Sequence, residues 1–125
     1  SARDLYADVI TDRTRVLGPD HEGTLVSRHN HADYTGKAGD PAGARDLYAA
    51  LVTDLARVLG PDHEDTLVSR HNHADYTGKA GDPAGARDLY AALVTDLARV
   101  LGPDHEDTLT SRKQFDHWAM KAAGA

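Results

Sequence analysis

The stretch Arg57-Val58-Leu59-Gly60-Pro61-Asp62-His63-Glu64-Asp65-Thr66-Leu67 holds one helix end and one helix start. Gly60 suits a positive-φ residue just past a helix, and Pro61 cannot continue it. Asp62 is a capping residue, and Asp65, three positions on, makes a weak capping box for the helix that follows. Upstream, Leu47, Leu51, Leu55 and Val58 recur at helical spacing, with Tyr48, Val52 and Leu59 beside them. Asp46, Thr53 and Arg57 fall on the opposite side. That helix starts at Asp40-Pro41, an N-cap followed by proline at the first helical position. Downstream, Leu67, Arg70, His73, Ala74 and Thr77 share a face until Gly81, where Asp82-Pro83 opens the next helix.

The pattern repeats along the chain. Gly-Pro-Asp-His-Glu occurs at Gly18, Gly60 and Gly102, 42 residues apart, and Ala-Arg-Asp-Leu-Tyr starts at Ala2, Ala44 and Ala86. Residues 44–67 are identical to residues 86–109. We term the helix before each Gly-Pro-Asp the B helix and the one after it the A helix. The predicted order is B 2–17, A 21–38, B 41–59, A 63–80, B 83–101 and A 105–123. No period-2 alternation signals a strand. Two such helices cannot bury an apolar face alone, whereas stacked antiparallel pairs can. The prediction is therefore one all-α domain, 1–125, built as an α-solenoid.

Composition bounds the function. The chain has 125 residues, no cysteine and a formal charge of −6. Disulfides, thiolate metal sites and cysteine nucleophiles are excluded. The acidic balance, with no basic block, argues against nucleic acid and anionic membranes as partners. No apolar run reaches membrane-spanning length. No signal peptide is visible, and the reading is cytoplasmic.

Residues 57–67 resemble the repeat junction of the tetratricopeptide family in its long, 42-residue, kinesin-light-chain-type form. Ser69-Arg70-His71-Asn72-His73-Ala74 is similar to that family's Arg-x-Asn-Leu-Ala block. Gly81-Asp82, Ala86 and Tyr90 resemble its turn glycine, small residue and aromatic. His31 and His73 stand where the family usually has Leu, and Thr35 and Thr77 where an aromatic is usual, with Tyr34 and Tyr76 one residue earlier. Phe115 and Trp118 take the His and Tyr places in the last A helix. The resemblance implies a right-handed superhelix whose A helices line a concave groove. By position, the groove would present Val26, His29, Asp33 and Lys37, then Val68, His71, Asp75 and Lys79, and finally Thr110, Lys113, His117 and Lys121. Asn30 and Asn72 match the family asparagine that in relatives often holds peptide backbone, and Gln114 replaces it in the last unit.

Eight histidines invite a metal reading. The two histidines of His29-Asn30-His31, or of His71-Asn72-His73, point about 200° apart on a helix and cannot chelate together. His29 with Asp33, and His71 with Asp75, do have ligand spacing, which leaves weak adventitious binding as the alternative to a surface-plus-core reading. No metal or cofactor is assigned. An imidazolium at His21, His63 or His105 would oppose the helix dipole, so these read as turn packing. Asp62 and Glu64 read as capping and dipole partners, not a catalytic carboxylate pair. Gly36-Lys37 and Gly78-Lys79 lack the phosphate-loop arrangement and do not follow strands. Ser27, Ser69 and Ser111 lack a strained-turn context.

The sequence thus points to a non-enzymatic protein-interaction module that takes a peptide or helix in its groove. The alternative is a structural or self-assembling repeat. Phe115, Trp118 and Met120 concentrate in the last helix, either as end-of-array packing or as an exposed apolar end. The latter implies weak head-to-tail association led by the C-terminal helix. Two local expectations complete the reading: positive φ at Gly60 and Gly102, and a buried, neutral His73.

Overall fold

The computed structural model describes residues 2–124; Ser1 and Ala125, the ends of the expected 1–125 unit, lie outside the described residues. It contains α1 (Ala2–Leu17), α2 (Glu22–Lys37), α3 (Pro41–Leu59), α4 (Glu64–Lys79), α5 (Pro83–Val100) and α6 (Glu106–Ala122). Among the described residues there is no strand. Each helix packs chiefly on its neighbours in the chain, which is the quasi-one-dimensional logic of a solenoid.

The helix starts follow two chemistries. Asp40 and Asp82 cap the B helices α3 and α5, their side chains accepting from the Gly43 and Gly85 N–H at 2.9 Å. The A helices are capped differently from expectation. His21, His63 and His105 are the N-caps, and each unprotonated Nδ1 accepts an N–H two residues on at 3.0 Å. Asp62 is instead drawn away by Arg99, as described below. Each A helix consequently begins one residue later than predicted.

Gly60 and Gly102 have φ of 103° and 106°. Gly60 caps α3 with ψ of 153°, beyond the left-handed helical well and in territory that essentially only glycine occupies. The turn is fastened by Thr66, fully buried, whose Oγ1 donates to the Gly60 carbonyl at 2.8 Å; Thr24 and Thr108 repeat this at Gly18 and Gly102.

Two equivalent cores follow. Leu25 and Ala32 of α2 meet Tyr48, Leu51 and Leu55 of α3, with Leu47 and Tyr76 packed alongside. Leu67 and Ala74 of α4 meet Tyr90, Leu93 and Leu97 of α5, with Leu89, Phe115 and Trp118 alongside. Each core therefore needs an aromatic from the next A helix. Tyr76 reaches it by lying over Gly36, where a Cβ would sit 2.3 Å from the ring; Trp118 lies over Gly78 in the same way, at 2.5 Å. The expected substitution of aromatic positions is thus a one-residue shift within the same layer. Thr35 and Thr77 fill the vacated places and donate to the His31 and His73 carbonyls at 2.7 Å.

The three apolar candidates of the last helix differ in their surroundings. Phe115 and Trp118 are half-buried against the second core; of the three self-association candidates, Met120 alone is largely exposed. On α1, Leu5 is likewise exposed, at 64%, while its equivalents Leu47 and Leu89 pack against cores.

Candidate functional site

Two pockets related by the 42-residue offset open between successive A helices. The first, of about 520 Å³, has Leu25, Val26 and His29 of α2 on one wall and Leu51, Leu55, Val58 and Leu59 of α3 as its floor. Its far side is His63, Glu64, Asp65 and Val68 at the start of α4. The second, of about 550 Å³, repeats this with Leu67, Val68 and His71, then Leu93, Leu97, Val100 and Leu101, then His105, Asp107 and Thr110. Glu64 and Val68, one helical turn apart on α4, border both pockets and form the ridge between them.

The pocket mouths are braced by ion pairs that span helices. Arg57 of α3 forms a bidentate pair with Asp20 at 2.8 and 2.9 Å and also reaches Asp54 at 3.3 Å; Arg28 of α2 holds the other side of Asp54 at 2.6 Å. Arg99, Asp62, Asp96 and Arg70 repeat the network one unit later. The guanidinium bonds hold all four carboxyls below the ordinary aspartate range: Arg57 at Asp20, Arg99 at Asp62, Arg28 at Asp54 and Arg70 at Asp96. This engagement explains why Asp62 does not cap α4.

Beneath the histidine walls lie the buried tyrosines. His71 meets the Tyr90 ring edge-on at 5.3 Å, and the Tyr90 hydroxyl donates to the His71 carbonyl at 3.3 Å. His29 and Tyr48 are arranged alike, with centroids 5.5 Å apart. Burial pushes both tyrosine hydroxyls up, and it pushes the His71 imidazolium down. His73 is half-buried and also lowered, by burial first and then by the nearby Arg45 charge.

Of the residues expected in the groove, Val26, His29, Val68, His71 and Thr110 line the pockets. The C-terminal half of the expected stripe does not. Lys37 and Lys79 pair with Asp33 and Asp75 at 2.8 Å and lie over the rings of Tyr34 and Tyr76 at 6.0 and 5.3 Å. Asn30 and Asn72 are half-buried outside the pockets. Lys113, His117 and Lys121 are exposed on α6 and line neither pocket; His117 stands edge-on to Trp118 at 4.7 Å.

Val58, Leu59, Val100 and Leu101 belong to the pockets, although helical spacing puts Val58 on the apolar face of its B helix and Leu59 beside it. All four are exposed at a level between 36% and 40%. The signal that separates them is their position at the end of a B helix, directly before Gly-Pro, where the chain turns away and leaves them partly uncovered. Among the described residues, no group of three or more His, Asp or Glu side chains is placed to hold a metal ion. Among the described residues, likewise, no helix is long and apolar enough to cross a membrane.

Paired helices, a recurring Gly-Pro-Asp-His junction and aromatic-on-glycine stacking define a helical repeat protein of the tetratricopeptide type. The tetratricopeptide repeat family model matches residues 1–22, 24–65 and 66–107, and the chain belongs to that family. The matched stretches end just inside α6, the helix whose sequence departs most from its counterparts. No curated protein matches the chain. Two solved structures of nearly identical TPR-like repeats, from a Podosopora anserina protein assigned as a kinesin light chain, share the fold. The first, a single-substitution variant, is 24% identical with a TM-score of 0.85 and covers 97% of this chain and 57% of its own. The second is 24% identical with a TM-score of 0.82 and covers 93% of this chain and 55% of its own. The chain thus spans a little over half the length of these structures.

Proposed function

We propose that this chain is a non-enzymatic interaction module whose A-helix groove takes a peptide segment or helix. Tetratricopeptide repeats are generally protein-interaction modules, and the observation that carries the finer reading is the pair of apolar-floored pockets sharing the Glu64–Val68 ridge. A ligand crossing that ridge would engage both pockets at once and gain the advantage of two linked sites. Val68 is 46% exposed, so replacing it perturbs the groove without opening a core. The test is to select binders from a displayed peptide library and measure them against the parent chain and Val68→Asp. Loss of tenfold or more in affinity, with unchanged helical circular dichroism, supports the groove. Binders indifferent to Val68→Asp overturn it.

Self-association is the second reading, favoured by the exposed Leu5 on α1. Sedimentation of the parent chain beside Leu5→Lys tests it. A concentration-dependent species present only in the parent supports it, and a monomer at all concentrations removes it.

A further inference from the structure

The interior ion-pair network draws its members from both sides of an A–B helix contact. Arg70 of α4 pairs with Asp96 of α5 at 2.7 Å, and Arg99 of α5 pairs with Asp62, in the turn before α4, at 2.8 Å. Arg28, Asp54, Arg57 and Asp20 do the same between α2 and α3. The 42-residue offset places a third set at the two ends of the array, split in half. Asp12 and Arg15 of α1 hold the places of Asp96 and Arg99. They pair with each other at 3.8 Å, and their side chains are 72% and 73% exposed. Asp104, in the turn before α6, and Arg112 of α6 hold the places of Asp62 and Arg70. Both are exposed, and neither has a hydrogen-bond or ion-pair partner among the described residues.

The apolar positions are split in the same way. Leu5, Tyr6 and Val9 of α1 correspond to Leu89, Tyr90 and Leu93, which pack with Leu67 of α4 in the second core. Leu109 of α6 corresponds to Leu67, and Leu5 and Leu109 are both exposed. One chain therefore carries complementary half-sites at its opposite ends. We propose that α1 of one copy docks on α6 of a second copy in the register of the interior repeats, pairing Asp12 with Arg112 and Arg15 with Asp104 across the junction. The inference rests on the self-association reading above and names the face that meets α1. The contact is heterologous and does not close, so copies stack into open arrays. It brings Leu109 and Thr110 to Val16 and Leu17 of the next copy, as Leu67 and Val68 share a pocket with Val100 and Leu101, and the groove continues through the junction. Asp116 and Met120, in the places of Ala74 and Gly78, oppose the contact and keep it weak. Arg13, in the place of Leu97, is turned aside to the Gly23 carbonyl at 2.8 Å. Exposed pairs add little affinity each, but like charges set face to face exclude a wrong register.

Charge swaps test that register by sedimentation velocity. One variant carries Asp12→Arg with Arg15→Asp, and the other Asp104→Arg with Arg112→Asp. Neither changes the net charge, and all four sites are exposed, so both should match the parent in circular dichroism. Each alone should associate at least tenfold more weakly than the parent. An equimolar mixture should regain the parent level, because every junction between unlike copies is again matched. The chain with all four substitutions should also associate as the parent does. Arg45→Asp with Asp46→Arg swaps a surface pair in the middle of the array and should change association less than twofold. Full association by either swap alone, or no recovery in the mixture and in the fourfold variant, overturns the proposal. If Leu5→Lys abolishes association while the α6 swap does not, α1 meets another surface, and self-association stands without this register. A parent chain that is monomeric at all concentrations overturns both.

Discussion

Helices α4 and α6 start alike and end differently. Both begin at a histidine cap, and both bury the threonine that ties down the preceding glycine turn. Beyond their first turns the demands diverge. Ala74 is 0% exposed against Tyr90 and Leu93, and its counterpart in α6 is the exposed Asp116. Gly78 lies under Trp118, and its counterpart is Met120, 62% exposed. Leu67 is 6% exposed and Leu109 is 41% exposed. An interior A helix must be small enough on one side for an aromatic ring and apolar enough on another for a B helix. In α6 a carboxylate and a long side chain occupy those two places. It therefore has the character of a capping helix with a polar outer face.

The sharpest way to break this comparison is to exchange the residues. Ala74→Asp buries a carboxylate among leucine and tyrosine with no basic partner, and should cost about 3 kcal/mol or more. Asp116→Ala, its mirror image, should stay within about 0.5 kcal/mol, as exposed sites do. Urea unfolding of both variants decides the matter; equal effects would show that α4 and α6 are not different environments.

A smaller effect is expected beneath the aromatic rings. Gly78→Ala gains about 1 kcal/mol in helix propensity, but its methyl would sit 2.5 Å from the Trp118 ring. Overpacking of that kind costs about 1–3 kcal/mol, so the net change should be destabilising or close to zero. Met120→Ala meets no such ring and should be neutral or slightly stabilising. Thermal unfolding that ranks Gly78→Ala clearly above the parent would contradict the close approach. Gly60→Val belongs to the same range, at about 1–3 kcal/mol, because a β-branched residue is poorly suited to a φ of 103° with ψ of 153°.

The same comparison bears on association. By the 42-residue offset, a second copy docking its α1 onto α6 would bring Tyr6 and Val9 over Asp116, as Tyr90 and Leu93 lie over Ala74. That contact buries an unpaired carboxylate. Asp116→Ala combined with Met120→Gly should therefore raise head-to-tail association above the parent level in sedimentation. No increase would mean that the α6 face is not what limits stacking.

The B helices were legible because their buried residues, Tyr48, Leu51 and Leu55, are large and helically spaced. The A helices bury Thr66, Ser69, Ala74, Thr77 and Gly78 beside a single leucine, so their apolar pattern is faint. Their placement was readable from turn chemistry and from the 42-residue offset. In the site, Val68 and His71 were reachable through resemblance. Val100 and Leu101 were not, since an apolar residue at core spacing looks the same whether or not a neighbouring helix covers it. Asp62 illustrates the other limit. Its local context is that of a cap, and the arginine that claims it lies 37 residues away.

The last and smallest expected effect concerns acid. His31, His71 and His73 have lowered folded-state pKa values, with burial as the first cause in each. Their unfolded value is about 6.5, so between the folded and unfolded values the unfolded chain binds more protons. Their contribution to stability is then complete above about pH 6.5 and is lost as pH falls toward the folded values. The paired aspartates act lower down, where stability present above about pH 3.9 fades as the carboxyls finally protonate. The histidine step should thus appear first on acidification. In α6 the place of His73 is taken by Phe115, which packs against the second core without titrating. His73→Phe makes α4 resemble α6 at this one layer, and should shrink the loss of stability between pH 7 and 5. The change should be under about 1 kcal/mol, because water still reaches the half-buried ring. Urea midpoints at both pH values measure it, and an unchanged difference would show that His73 does not contribute to the acid response.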